Sequence, residues 1–341
     1  MTVLVVKACG PRTSLQDAGR TGFRRYGVSS SGAMDRLALA AANVLVGNGP
    51  GAAAIELMLL GATFRVEEGA ARLAVTGAPC AVAVDGQPVA QSSTIAVEAG
   101  QTVTVGPMQA GVFAYLAVAG GFDWPPQLGS LSLHQRAALG GYHGRAFEAG
   151  DRIPLLVAAP PRSPLLSLPP VALDSGAPVR VVPGPQDDYF SEAGFATFAS
   201  AAYCVSQEAD RMGYRLAGPA IEHSRGFNIV SDGIVPGSVQ VPGSGEPIVM
   251  MADHQTTGGY PKIATVISAD LRVVAHRRPG DVIRFEVVGV EEAQRIARAR
   301  AGELKSLAAL ARPVRGGLPP NEELLGLNLA GAAVDALAQE S

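Results

Sequence analysis

Three segments of the chain concentrate side chains that can do chemistry. In the first, Gln16, Asp17 and Arg20 offer an amide, a carboxylate and a guanidinium within one short stretch. It is followed by a glycine-rich run from Gly27 to Asp35. Glycines at 19, 22, 27 and 32 let the backbone turn sharply or approach a ligand closely. Asp17 and Arg20 can equally pair with each other to hold the loop, and Ser30 or Ser31 can cap the helix expected next. In the second segment, Arg211 and Arg215 flank Gly213 and Tyr214. If this stretch is extended, the two arginines share a face and can grip a carboxylate or phosphate in bidentate fashion. The alternative is a surface ion-pair ladder with Glu208 and Asp210.

The third segment, from Met250 to Lys262, is the most concentrated. Asp253, His254, Gln255, Thr256, Thr257, Gly258, Gly259 and Tyr260 follow an apolar run that reads as a strand, Pro247–Met251. Two adjacent glycines can present backbone N–H groups to an anion at the start of a following helix. Lys262 in the first turn of that helix would oppose the helix dipole unless an anion is bound there. Asp253 is the candidate for proton transfer. Arg211 and the amides near Gly258 and Gly259 are candidates for balancing negative charge.

The elements that must position these groups read as mainly β. Short runs (Thr2–Lys7, Thr63–Val66, Arg72–Thr76, Ala81–Asp85, Thr102–Val105, Val112–Val118) alternate apolar and polar residues or are continuously apolar, and glycines separate them. Asp85-Gly86 predicts a tight hairpin turn. Helices are expected over Met34–Val46, Asp187–Ala199 and Val290–Leu310, with a shorter one from Lys262 to before Asp270. The proline-rich stretch around 161–177 predicts a linker between domains spanning 1–160 and 178–311, with a tail at 312–341.

Composition narrows the function. Among 341 residues, 17% are charged, against a typical ~25%, and 48% are hydrophobic, enough for a core. A net charge of −3 points to neither nucleic acid nor an anionic membrane as partner. Three scattered cysteines predict no disulfide framework or zinc site, and no metal is expected. Only three of the 27 basic residues are lysines (Lys7, Lys262, Lys305), which leaves few candidates for Schiff-base chemistry. No Walker loop, kinase glycine loop, G-x-S-x-G elbow or H-E-x-x-H motif occurs. The N-terminus lacks signal-peptide character and no run is long enough to span a bilayer, so a cytoplasmic location is expected.

Taken in order, Gln16-Asp17-x-Gly19-Arg20, Gly32-Ala33-Met34-Asp35, Glu56, Gly120-Gly121-Phe122, Gly184-Pro185-Gln186, Asp210-Arg211-Met212-Gly213-Tyr214-Arg215, Gln240-Val241-Pro242 and Thr256-Thr257-Gly258-Gly259-Tyr260-Pro261 resemble a known family. It is the biotin-dependent carboxyltransferase family, also called allophanate hydrolase subunit 2 or KipA, which includes the C component of 5-oxoprolinase. The likeness runs from about Val3 to about Ala297. It implies two cyclophilin-like β-barrel domains and a partner of the subunit 1 type (KipI, or the B component of 5-oxoprolinase), with a third subunit in the 5-oxoprolinase branch. There, ATP drives opening of 5-oxoproline to glutamate. In a second branch, the module moves a carboxyl group to urea from biotin carried by another protein. In a third, it antagonises a KipI-type kinase inhibitor.

The chain has no biotin-carrier Met-Lys-Met segment and no ATP-grasp region, which favours a subunit of an ATP-dependent hydrolase of cyclic amides, inactive alone. On that expectation Asp253, Tyr260 and Arg211 are catalytic. Gln16, Asp17, Arg20, Arg215, Gln240, His254, Gln255, Thr256, Thr257, Gly258 and Gly259 bind substrate. In the carboxyl-transfer alternative, Tyr260 or Asp253 assists proton removal. The sequence departs from the family at Leu131-Ser132-Leu133, where Arg-Ser-Thr is common. His254 and His276 also stand where other polar residues are expected.

Overall fold

A computed structural model of the chain describes residues 2–157, 164–173 and 176–314. The architecture is mainly β with four α-helices among the described residues: α1 (Arg36–Leu45), α2 (Glu192–Ser200), α3 (Leu271–Ala275) and α4 (Val290–Leu310).

Strands between Val3 and Pro154 form two sheets of six and five strands. The alternation of Val3–Cys9 buries Leu4 and Val6, and that of Thr102–Met108 buries Val103, Val105 and Met108. These side chains share one core with Ile55, Leu73 and Leu116 from the five-stranded sheet. The Asp85-Gly86 turn is as expected: both residues have positive φ (48° and 79°), the two-residue geometry that suits the strand twist, and Val84 pairs with Gln87. Phe113–Val118 is buried on both faces. Ala114, Leu116 and Val118 enter the core of the first two sheets. Phe113, Tyr115 and Ala117 face the other way, into a cluster with α1 and the second half of the chain. A continuous apolar run is what a strand covered on both sides requires.

Of the strands between Val179 and Val287, Asp232–Gly233 and Thr257–Gly258 form a separate two-stranded ribbon, and the other eight form one sheet. Val282–Ile283 and Phe285–Val287 are one residue apart in the chain, yet they lie at opposite edges of that sheet. The sheet therefore curls back on itself into a nearly closed barrel. Among the described residues, no strand of Val3–Pro154 pairs with one of Val179–Val287. Within the expected linker, Leu166–Ser167 pairs with Arg312–Pro313 at the start of the expected tail. Residues 158–163, 174–175 and 315–341 lie outside the described residues.

Three local expectations are corrected. Lys262–Val266 is a strand, not a helix, rich in β-branched residues (Ile263, Thr265, Val266), and it pairs with Val179–Pro183 and Ser238–Gln240. The short helix begins only after Asp270. The cap of α1 is Asp35, not Ser30 or Ser31: its carboxylate accepts from the Leu37 and Ala38 amides at 3.0 and 3.1 Å. The expected helix over Asp187–Ala199 is broken. A 3-10 turn (Asp187–Tyr189) precedes α2, which Ser191 caps through the Gly194 amide at 3.0 Å.

Candidate active site

The polar residues of the three segments converge between the two halves. Asp210 Oδ1 accepts from the Met212 and Gly213 amides (2.7 and 3.3 Å), a turn that sends the intervening Arg211 inward before the strand Gly213–Ala217 begins. The Arg211 guanidinium is buried and spans both halves. Its Nε and Nη2 meet Asp253 at 2.8 and 3.0 Å, and its Nη1 meets Glu56 at 2.5 Å. Nη2 also donates to the Gly32 carbonyl at 2.7 Å and to Gln16 Oε1 at 3.2 Å. Burial alone would weaken the charge. The Asp253 and Glu56 carboxylates outweigh it and hold the guanidinium above its ordinary pKa. Gly32 must be glycine: its φ is +93°, and a Cβ there would lie 3.0–3.1 Å from the backbone of Asp17, Ala18 and Gly19.

The network continues inward. Glu56 stands opposite both Ser14 and Tyr115 in the five-stranded sheet. Tyr115 Oη donates to Glu56 Oε2 at 2.7 Å and accepts from the Asp35 amide at 2.8 Å. Burial, with the carboxylates of Glu56 and Asp35, pushes this phenol well above its usual range. Asp35 in turn meets Arg272 at 3.1 Å and His276 Nε2 at 3.0 Å. His276 Nδ1 accepts from the Val112 amide (3.2 Å), which leaves the ring proton on Nε2, facing Asp35. Burial opposes ionisation of Asp35, yet His276 and Arg272 hold its carboxyl well below the usual carboxylate range.

A cleft of about 200 Å³ opens onto this network. Gln16, Arg211 and Asp253, all buried, form its inner surface, and Arg12, His134 and Arg136 stand on its more exposed side. Behind the inner surface, near Asp253 but lining none of the cleft, are buried groups that lack partners. Arg20 is 1% exposed and donates Nη2 to the Ser132 carbonyl, while its Nε and Nη1 have none. Burial lowers its pKa, with Asp17 and Asp253 acting in the opposite direction. His254 is fully buried. Its Nδ1 lies 2.5 Å from the Gln255 carbonyl, so it carries the proton, and Nε2 is left as an unpartnered acceptor. Burial lowers the imidazole pKa, helped by Arg24 and His134 and opposed by Gln255 and Asp253. The Ser29 and Ser31 hydroxyls are buried without partners too. Buried polar atoms are nearly always hydrogen-bonded, so such a concentration of exceptions marks a place prepared for a ligand or water.

The sequence profile of the carboxyltransferase domain, subdomains A and B, matches residues 26–287. The chain belongs to this family. It is 39% identical over 291 residues to the C component of 5-oxoprolinase from Escherichia coli K12, covering 85% of this chain and 93% of that protein. It is 40% identical over 287 residues to the same component from Haemophilus influenzae, covering 84% and 92%. The crystal structure of the Kluyveromyces lactis urea amidolyase superposes with a TM-score of 0.83 at 28% identity, over 94% of this chain. The chain spans only 20% of that much longer protein.

The Leu131-Ser132-Leu133 loop is held by contacts to the first segment. Asp17 accepts from the Ser130 and Ser132 hydroxyls (2.7 and 2.5 Å) and from the Leu131 and Gly19 amides (both 2.7 Å). Asp17 and Arg20 therefore do not pair with each other; both hold the Ser130–Ser132 segment. Leu133 is buried, and its carbonyl accepts from Gln16 Nε2 at 3.1 Å. Leu131 and Leu133 pack against the fold, and His134 and Arg136 bring polar groups to the cleft just beyond.

The remaining expected site residues lie elsewhere. Arg215 does not share a face with Arg211, which precedes the strand; it is exposed and pairs with Glu208 at 3.0 Å. Gln255–Tyr260 lines none of the cleft. Thr257–Gly258 pairs with Asp232–Gly233, and Thr257 and Tyr260 are exposed. Gly258 fits tightly: a Cβ would come within 2.6 Å of Ile234 and 2.7 Å of Gln240 Nε2, itself buried and unpartnered. Lys262 needs no ligand anion, because it sits in a strand and its Nζ meets Asp232 at 2.8 Å. The hydrogen bonds from Lys262 and Gln186 lower the Asp232 pKa to about 2. Sequence reasoning did not single out Arg12, Arg136 or Tyr115. A phenol inside an apolar strand was the available signal for Tyr115; neither arginine carried one.

Proposed function

We propose that this chain is the C-type component of an ATP-dependent hydrolase that opens a cyclic amide, 5-oxoproline to glutamate, together with a subunit-1-type partner and a third subunit. The observation that carries this reading is the nearly end-to-end correspondence with two proteins that bear the name of the 5-oxoprolinase C component. The geometry supplies groups the chemistry can use. Amide resonance makes the ring carbonyl unreactive; transfer of phosphate from ATP to the amide oxygen breaks that resonance, so that water adds to the ring carbon. The ring C–N bond then breaks with its nitrogen taking up a proton, and the acyl phosphate left behind is hydrolysed to the carboxylate and free phosphate. ATP is a co-substrate of the assembled complex, and no residue of this chain is assigned to it.

In this reading the bare nitrogens of Arg20 receive negative charge developing on oxygen. His254 Nε2 accepts the proton of the attacking water, the role first expected of Asp253. Asp253 has both oxygens on Arg211, so this pair positions the site rather than exchanging protons. Gln16, on the inner surface of the cleft, orients polar groups of the substrate; Gln240 packs against Gly258 and does not line the cleft. Gln255, Thr257 and Tyr260, exposed and outside the cleft, face the partner protein.

A second reading, carboxyl transfer from biotin on another protein to a urea-like amide, draws on the likeness to urea amidolyase. Co-expression with the two other subunits, followed by parallel assays of ATP-dependent 5-oxoproline hydrolysis and biotin-dependent urea carboxylation, separates the two. Glutamate formation that needs all three subunits is expected. Carboxylation without hydrolysis would replace the first reading by the second.

A further inference from the structure

A second cavity, of about 500 Å³, opens along the seam between the two halves. It shares no lining residue with the Asp253 cleft. Gln109–Gly111 of the first half face Arg272–Arg278 of the second, and Pro170–Leu173 of the connecting segment closes one side. Arg272 and His276 are turned toward Asp35 and contribute to the network already described.

Arg277 and Arg278 are differently placed. Arg277 is 8% exposed; its Nη2 donates to the Ala177 carbonyl at 3.0 Å, and its buried Nε has no partner. Arg278 donates Nε and Nη2 to the carbonyls of Gly111 and Met108 at 2.8 and 2.7 Å. Among the described residues, neither guanidinium forms an ion pair. Asp281 lines the cavity, but its Oδ2 accepts from the Arg278 backbone amide at 2.7 Å. Two guanidinium groups thus face one carboxylate, and one of them is withdrawn from water with a donor unused. A buried charge without a counter-charge is costly unless an anion completes it. The remaining walls include Pro79, Val171, Leu173 and Val273, which are apolar.

We propose that this seam cavity is a second ligand site, for an oxyanion (phosphate or carboxylate) carried on an apolar body, with Arg277 as its principal contact. The site is independent of the reading given to the Asp253 cleft. Isothermal titration and thermal melting of the full-length protein test it, with inorganic phosphate, phenyl phosphate and benzoate as probes at matched ionic strength. Saturable binding of phenyl phosphate or benzoate is expected, with a raised melting midpoint. The probe that binds names the oxyanion. Arg277→Gln should weaken that binding at least tenfold. Gln109→Glu, at an exposed position on the cavity wall, supplies a carboxylate in place of the ligand; it should raise the ligand-free midpoint and also weaken binding. If Arg277→Gln does not fold, Gln109→Glu decides. No saturable binding of any probe, or binding unchanged in the folded variants, overturns the proposal.

Discussion

Arg211 and Arg20 are both buried and spend their charge in opposite ways. Arg211 meets two carboxylates, a carbonyl and a side-chain amide, contributed from both halves of the chain. Arg20 makes one hydrogen bond and leaves two nitrogens bare. A buried cation with its counter-charges complete holds structure together. One left incomplete costs stability and is available to a ligand. The contrast separates the scaffold of the junction from the part assigned to chemistry, although both arginines belong to one patch around Asp253.

The largest expected effect falls on the scaffold. Arg211→Ala leaves Glu56 and Asp253 buried without a counter-charge. It should cost about 3–5 kcal/mol in denaturant unfolding, enough to abolish folding of a marginal domain. A loss below about 1 kcal/mol would remove Arg211 from the scaffold. Next in size is Tyr115→Phe, which deletes one hydroxyl, strands the Asp35 amide and takes one donor from Glu56 Oε2, which keeps the Met34 amide at 3.0 Å. About 1–3 kcal/mol is expected in the same experiment.

His254 gives a pH-dependent test. Its folded-state pKa lies below the ordinary value of 6.5, so the unfolded chain takes up the proton first as pH falls. The neutral imidazole's contribution is complete above about pH 6.5 and is lost progressively as pH drops toward the folded-state value. The acid-side fall in melting midpoint should be shallower in His254→Phe than in the wild type. An identical slope would mean that the ring is not held neutral. The smallest effect belongs to Arg215→Ala. The pair with Glu208 is solvent-exposed, and removing it should change stability by about 0.5 kcal/mol or less and leave turnover of the assembled complex intact.

How much of this was legible beforehand depends on the range of the forces involved. Alternating strands, the Asp85-Gly86 turn and α4 are set by local pattern, and they fall where the sequence puts them. Lys262–Val266 was misread because Gly-Gly before a lysine resembles a helix entry; the β-branched Ile263, Thr265 and Val266 were the better guide. Capping was assigned to Ser30 or Ser31, although Asp35 stands directly before the Ala- and Leu-rich run. Gln16, Arg211 and Asp253 could each be picked by residue type. That they meet, across 195 residues in the case of Gln16 and Arg211, depends on how the two halves pack, which no local spacing encodes. For the same reason Gln255–Tyr260, the richest segment by composition, turned out to be a ribbon outside the cleft.

The central claim, that the incomplete side of the Asp253 junction does the chemistry, is tested most directly by Arg20→Gln. Its melting midpoint and its turnover in the three-subunit complex should be measured on one preparation. The account predicts a midpoint within a few degrees of the wild type and turnover reduced at least a hundredfold. Unchanged turnover, or a loss of activity fully explained by unfolding, would contradict it.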